Sequence, residues 1–203
     1  MKEKVKIAVL VSGGGTNLQA ILDAQKSGII KSGEVVLVVS NKPDVYALKR
    51  AENAGVEAVV INKKELGADK FEQSVIELLE AKGIEFIVLA GFMCILSKNF
   101  TDRFENRIIN VHPALIPSFC GKGYYGLKVH EEALKYGVKV TGATVHFVNE
   151  IPDGGNIIAQ KAVEVLDGDT PEILQKRVME EAEWIILPRA IEKVSKKFLE
   201  ETK

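Results

Sequence analysis

The feature that most constrains this chain is a strict alternation of apolar, β-branched runs with segments of helical period. Residues 6–11 (KIAVLV), 35–39 (VVLVV), 58–61 (AVVI) and 86–90 (FIVLA) are short, continuous apolar runs, the mark of strands buried on both faces. Between them, 17–27, about 45–54 and 71–82 carry apolar residues at helical spacing, and Gly55 and Gly83 stand where the later two helices should stop. A fifth strand is expected at 107–111. Strand and helix in such alternation dictate an α/β fold: an open, mostly parallel twisted sheet with helices on both faces, Rossmann-like in kind. Sheets of this type take their ligands beyond the carboxyl ends of the strands.

The pattern changes after residue 112. Residues 113–125 (PALIPSFCGKGYY) read as a loop, and a helix is expected at about 127–136. Two β-rich runs follow at 138–148 and 157–165, and the link at 149–156 is too short for a parallel crossover. An antiparallel hairpin is therefore expected. Thr170-Pro171-Glu172 opens a long terminal helix, with an N-cap residue, a first-turn proline and an acid that complements the helix dipole. Neither a repeat nor an interdomain linker appears, so 1–203 should form a single domain.

Composition narrows the function classes. With 46% hydrophobic and 27% charged residues, the chain reads as soluble and globular. A formal net charge of −1 without a dense basic tract predicts no nucleic-acid partner, and apolar runs of strand length predict no membrane span. Met1-Lys2-Glu3-Lys4 leads directly into the first strand without a signal-peptide pattern, which predicts a cytoplasmic protein. Cys94 and Cys120 match neither a disulfide framework nor a CxxC pattern, and the three histidines add no metal-ligand spacing, so no metal is expected.

Asn110-Val111-His112-Pro113 is the most chemically informative segment. On an extended strand Asn110 and His112 project to one face, and Pro113 biases His112 towards extended geometry. A carboxamide beside an imidazole suits acyl chemistry, one donating to a developing oxyanion and the other moving a proton near neutral pH. Ser12-Gly13-Gly14-Gly15-Thr16-Asn17 follows the first strand and can cradle an anion at a helix start. Leu18 stands where a dinucleotide fingerprint needs its third glycine, and no P-loop lysine follows, so a monophosphate fits better. A tight turn at a helix start is the plain reading of the same residues. Asp153-Gly154-Gly155, in the hairpin link, could return a carboxylate to the mouth of the fifth strand and raise the proton affinity of His112. His146 is expected as a hydrogen-bonded strand histidine, and His130 as exposed or ion-paired on its helix.

Five segments in order carry a family resemblance: SGGGTNLQAI after the first strand, LAGFM at 89–93, NVHPALIPSF at 110–119, GATVHFV at 142–148 and DGG at 153–155. The chain closely resembles the phosphoribosylglycinamide formyltransferases, the folate-dependent glycinamide ribonucleotide transformylases of purine biosynthesis, over essentially its whole length. The resemblance implies formyl transfer from 10-formyltetrahydrofolate to the amine of glycinamide ribonucleotide, with small-molecule partners only, in a monomer or homodimer. It implies catalytic roles for Asn110, His112 and Asp153, with Asp153 raising the His112 pKa. Phosphate and ribose contacts map to Gly15, Thr16, Asn17 and Glu183, the last an acid that helix pattern alone would place on a solvated face. Folate contacts map to Met93, Cys94, Ile95 and Leu96, to Asn110, and to Asn149, Glu150, Ile151, Pro152 and Asp153. The phosphate-binding half would be about 1–100 and the folate-binding, catalytic half about 101–203. Cys94 departs from the basic residue frequent there in the family. Of related activities, methionyl-tRNA formyltransferase would need a further carboxyl-terminal domain and formyltetrahydrofolate hydrolase an amino-terminal one. A nucleotide-binding module without catalysis would leave the pairing of Asn110, His112 and Asp153 unexplained.

Overall fold

Along β1 (Val5–Val11), Ile7, Val9 and Val11 enter one apolar core and Ala8 and Leu10 another, because successive strand side chains point to opposite faces. The computed structural model describes residues 4–201; Met1, Lys2 and Glu3, part of the expected lead into the first strand, lie outside the described residues, as do Thr202 and Lys203. Both faces of β1 are covered: α1 (Thr16–Lys26) contributes Leu18, Ile21 and Leu22 to the first core, and α4 (Ala68–Ala81) contributes Phe71, Val75 and Leu79 to the second. Each such fully buried side chain stabilises the fold by about 1.5–3 kcal/mol. The remaining parallel strands are β2 (Gly33–Ser40), β3 (Glu57–Val60), β4 (Phe86–Leu89) and β5 (Ile108–His112), joined through α2 (Tyr46–Asn53) and the helices below.

Two short helices were not foreseen. These are α3 (Lys63–Leu66), where Asn62 accepts from the Lys64 N–H, and α5 (Lys98–Arg103), where Ser97 accepts from the Phe100 N–H. Each is too short to show a helical period, so the cap residue was its only signal. The carboxyl half adds α6 (Leu127–Tyr136), β6 (Val140–Phe147) and β7 (Ile157–Glu164). Among the described residues seven strands form one sheet in the order β3-β2-β1-β4-β5-β6-β7, with β6 antiparallel to both β5 and β7. The expected hairpin is present. Chain order reverses between β1 and β4, which places the loops after these two strands on either side of a crevice. Among the described residues no helix is long and apolar enough to cross a membrane.

The long terminal helix begins as read from sequence, with the Thr170 hydroxyl accepting from the Ile173 N–H ahead of Pro171. It is not uniform. After α7 (Pro171–Val178), residues Met179–Glu183 form a π-helical turn, and α8 (Trp184–Glu201) continues beyond it.

The hairpin tip is held by a close backbone crossing. A Cβ at Gly155 would lie 1.8 Å from the Phe147 carbonyl oxygen, so only glycine lets the returning strand pass. Gly155→Ala is therefore expected to lower unfolding free energy by about 2–4 kcal/mol. Chemical denaturation checks this; a loss under about 0.5 kcal/mol would mean the crossing relaxes without cost.

Candidate active site

The antiparallel register sets the centre of the site. Asn110 of β5 sits opposite His146 of β6, and His112 sits opposite Thr144, so all four side chains belong to one stretch of ladder. In β6 the pairing with β7 shifts between Val145 and His146, a bulge that re-aims the side chain beyond it. His146 places Nδ1 2.8 Å from the Phe147 carbonyl oxygen and Nε2 3.3 Å from the Asn110 carboxamide nitrogen. His112, only 4% exposed, places Nε2 2.8 Å from the carbonyl oxygen of Phe119. Thr144 fastens the intervening loop: its hydroxyl donates to the Ala114 carbonyl at 2.7 Å and accepts from the Ile116 N–H at 3.1 Å.

Asp153 comes back to this point from the hairpin tip. Its φ of 57° is left-handed, a conformation that aspartate tolerates better than most residues. Oδ2 accepts from the Gly121 N–H at 2.8 Å and lies 3.5 Å from His112 Nδ1, while Oδ1 lies 3.6 Å from His146 Nε2. The structure thus brings together Asn110, His112 and Asp153, with His146 between them.

Asp153 raises the proton affinity of His112 as expected, but a larger effect opposes it. Burial pulls the His112 pKa down and outweighs the upward effects of Asp153 and the Phe119 carbonyl, so the net shift is downward. Asp153 does act in the expected direction; desolvation is the larger influence. For Asp153 itself, burial alone would raise the pKa, but His146, His112 and the Gly121 N–H together hold it below the ordinary carboxylate value. The site at neutral pH is a carboxylate beside a neutral His112 imidazole.

A cavity of about 790 Å³ opens over these groups. Met93, Cys94, Ile95 and Leu96 line one side of it, with Asn149, Glu150, Ile151, Pro152 and Asp153. Met93, Ile95 and Ile151 are 50%, 64% and 59% exposed, an apolar wall that no core covers and that suits a flat, largely apolar ligand. The Ser12 hydroxyl accepts from the Met93 N–H at 2.8 Å, tying this loop to the glycine turn across the crevice. The sulfur of Cys94, within this wall, accepts from the Asn41 amide at 3.0 Å.

On the opposite side the residues read from the glycine turn divide. Asn17 lines the large cavity, whereas Thr16 lines a second cavity of about 530 Å³ between α1 and α8, and Gly15 lines neither. Gly15 has φ 72° and caps α1 without any side-chain bond, so the first helix N–H groups stay available to an anion. A Cβ there would meet Ala47 Cβ at 2.7 Å, so the turn is fixed to glycine by packing as well as by φ.

Glu183 corrects the solvated-face reading. It is 6% exposed, and its Oε2 accepts from Asn17 Nδ2 at 2.6 Å. The π turn is the cause: an extra residue per turn rotates Glu183 inward from the face an α-helix would give it. Burial pushes its pKa up to about 7, against a smaller lowering by Asn17. The Asn17 Oδ1 is buried and has no partner among the described residues, which leaves an acceptor beside Glu183 for a ligand donor. His130 is a second correction. It is fully buried with Val129 and Ala133 on the inner face of α6, its ring nitrogens have no partner among the described residues, and burial pushes its pKa down to about 4. His146 is the hydrogen-bonded strand histidine that was expected, but its place beside Asn110 and Asp153, like that of the backbone of Phe119 and Gly121, had no sequence signal, because the β5–β6 register and the loop path decide it. Among the described residues no group of three or more His, Cys, Asp or Glu side chains is arranged to hold a metal ion.

The family model described as formyl transferase matches residues 5–191. A trifunctional purine biosynthetic protein adenosine-3 of Gallus gallus is 47% identical over 193 residues, 95% of this chain; the chain spans only 18% of that protein's length. A phosphoribosylglycinamide formyltransferase of Haemophilus influenzae is 41% identical over 187 residues, covering 92% of this chain and 85% of the relative. The crystal structure of glycinamide ribonucleotide transformylase 1 from Symbiobacterium toebii superposes with a TM-score of 0.90 at 42% identity, over 97% of this chain and 90% of that one.

A carboxyl group whose pKa rises on folding favours the fold most when protonated, so its contribution is present below pH 4.5 and is lost as pH rises through about 7. Glu183→Gln should thus raise the melting temperature at pH 8 by about 4 °C more than at pH 5. Scanning calorimetry at both values checks this; equal shifts would mean that Glu183 is not buried as a neutral acid.

Proposed function

This chain belongs to the formyl transferase family, and on that premise we propose that it moves a formyl group from 10-formyltetrahydrofolate to the free amine of glycinamide ribonucleotide. The observation that supports this reading best is the convergence of Asn110, His112 and Asp153 between an uncovered apolar wall and the Asn17–Glu183 pair. The wall of Met93, Ile95 and Ile151 suits the pterin of the folate. The open start of α1 suits the phosphate, and Glu183 with Asn17 Oδ1 offers acceptors for ribose hydroxyls.

The chemistry follows from the atoms. The uncharged amine attacks the formyl carbon and gives a tetrahedral adduct whose oxygen carries the new charge. Asn110 donates an N–H to that oxygen. The Phe119 carbonyl only accepts, so it holds the His112 proton on Nε2 and leaves the lone pair on Nδ1, beside Asp153. Nδ1 takes the proton that the amine gives up, and Asp153 balances the imidazolium so formed. Collapse of the adduct breaks the bond to the folate nitrogen, which receives a proton and leaves as tetrahydrofolate. Holding the two substrates in contact supplies much of the acceleration.

The direct test is formylation of glycinamide ribonucleotide measured beside free hydrolysis of the folate; hydrolysis without transfer would overturn the assignment. Asn110→Ala should lower kcat by ~10²–10³ while the far-ultraviolet circular dichroism is kept. Asp153 raises the His112 pKa, so Asp153→Asn should move the acid limb of kcat/KM to lower pH as well as lowering the rate. An acid limb that stays in place would take Asp153 out of the proton path.

A further inference from the structure

The scheme above gives His146 no task, although this ring touches both ends of the site. Its Nδ1 lies 2.8 Å from the Phe147 carbonyl oxygen, a group that only accepts, so Nδ1 carries the ring proton. Nε2 then presents a lone pair, and the Asn110 carboxamide nitrogen is 3.3 Å from it. Asp153 Oδ1 is further away, at 3.6 Å, so Asn110 is the nearer partner. One orientation of the carboxamide satisfies this geometry: Nδ2–H donates to the imidazole and Oδ1 turns away. The reversed amide has nearly the same shape but would set an oxygen against a lone pair beside a ring that is 2% exposed, where water does not relieve it.

We propose that His146 is a positioning residue that decides which end of the Asn110 carboxamide meets the developing oxyanion. One N–H is held by the imidazole and the other is left free for the substrate oxygen. Without this restraint the amide can turn an acceptor towards the new charge and repel it. The frame is rigid, because Asn110 and His146 are directly opposed in the β5–β6 ladder and the Val145/His146 bulge sets the direction of the ring. The catalytic consequence rests on the proposed formyl transfer; the tautomer and the amide orientation do not.

A double-mutant cycle on kcat tests the assignment. His146→Phe keeps a planar ring and removes the acceptor, whereas His146→Gln keeps a side-chain acceptor. His146→Phe should lower kcat roughly ten- to hundredfold and leave both KM values within about twofold, with His146→Gln intermediate. In an Asn110→Ala background the same change should cost less than about twofold. Losses that multiply in the double variant, or a loss that disappears only in an Asp153→Asn background, would overturn the proposal. Long-range 1H–15N NMR of the parent protein gives a readout independent of activity and of how the variants fold. A neutral His146 ring protonated on Nδ1 is required near neutral pH; a ring protonated on Nε2, or on both nitrogens, would sink the idea even if formyl transfer is never observed.

Discussion

A charged carboxylate held largely out of water is the constraint on which the rest of this site depends. Asp153 accepts a hydrogen bond from a backbone N–H and lies against two imidazole rings, and each of these comes from a different segment. The loop after β5 supplies Gly121, β5 supplies His112 and β6 supplies His146. Removing one partner from a buried ion leaves its desolvation uncompensated, which is commonly a loss of several kcal/mol. The three segments are thereby coupled: a change that loosens the hairpin tip also releases the loop over His112. The close crossing at Gly155 and the left-handed backbone of Asp153 are local costs that this coupling sustains.

The sheet topology sets the two sides of the crevice against each other. The glycine turn follows β1 and the Met93 loop follows β4, on either side of the reversal in strand order. The Ser12–Met93 bond spans that gap, so the glycine turn and the apolar wall form one framework rather than two loops that move separately. Catalysis by two-substrate contact requires such a framework, since small displacements between the reacting partners cost much of the rate.

How much of this was legible in the sequence follows from physical range. Strands β1, β2, β4 and β5 announced themselves as continuous apolar runs because a strand buried on both faces has no polar positions to spare. The hairpin was read from the length of its link, and Asp153 was placed near the mouth of β5 by the same argument. His146 was not, since its partnership with Asn110 depends on antiparallel register, which no local pattern reports. The upward pull of Asp153 on His112 was readable because a charge partner can be inferred from sequence, whereas the depth of burial that outweighs it is a property of the assembled site. Glu183 was reached by family resemblance alone. Three acids among residues 180–183 look like a wet helix face.

The π-helical turn has a geometric consequence for the whole carboxyl terminus. Each residue of an α-helix advances about 100° around its axis. The wide turn at Met179–Glu183 inserts a phase slip between its two flanks, so the inward stripe of α8 is out of step with that of α7. Leu174 and Val178 precede the slip, while Leu187, Ile191 and Val194 follow it, and all reach the same core. A single rod can therefore bend its allegiance along its length without a loop, and the acid at the slip faces the cavity instead of bulk solvent.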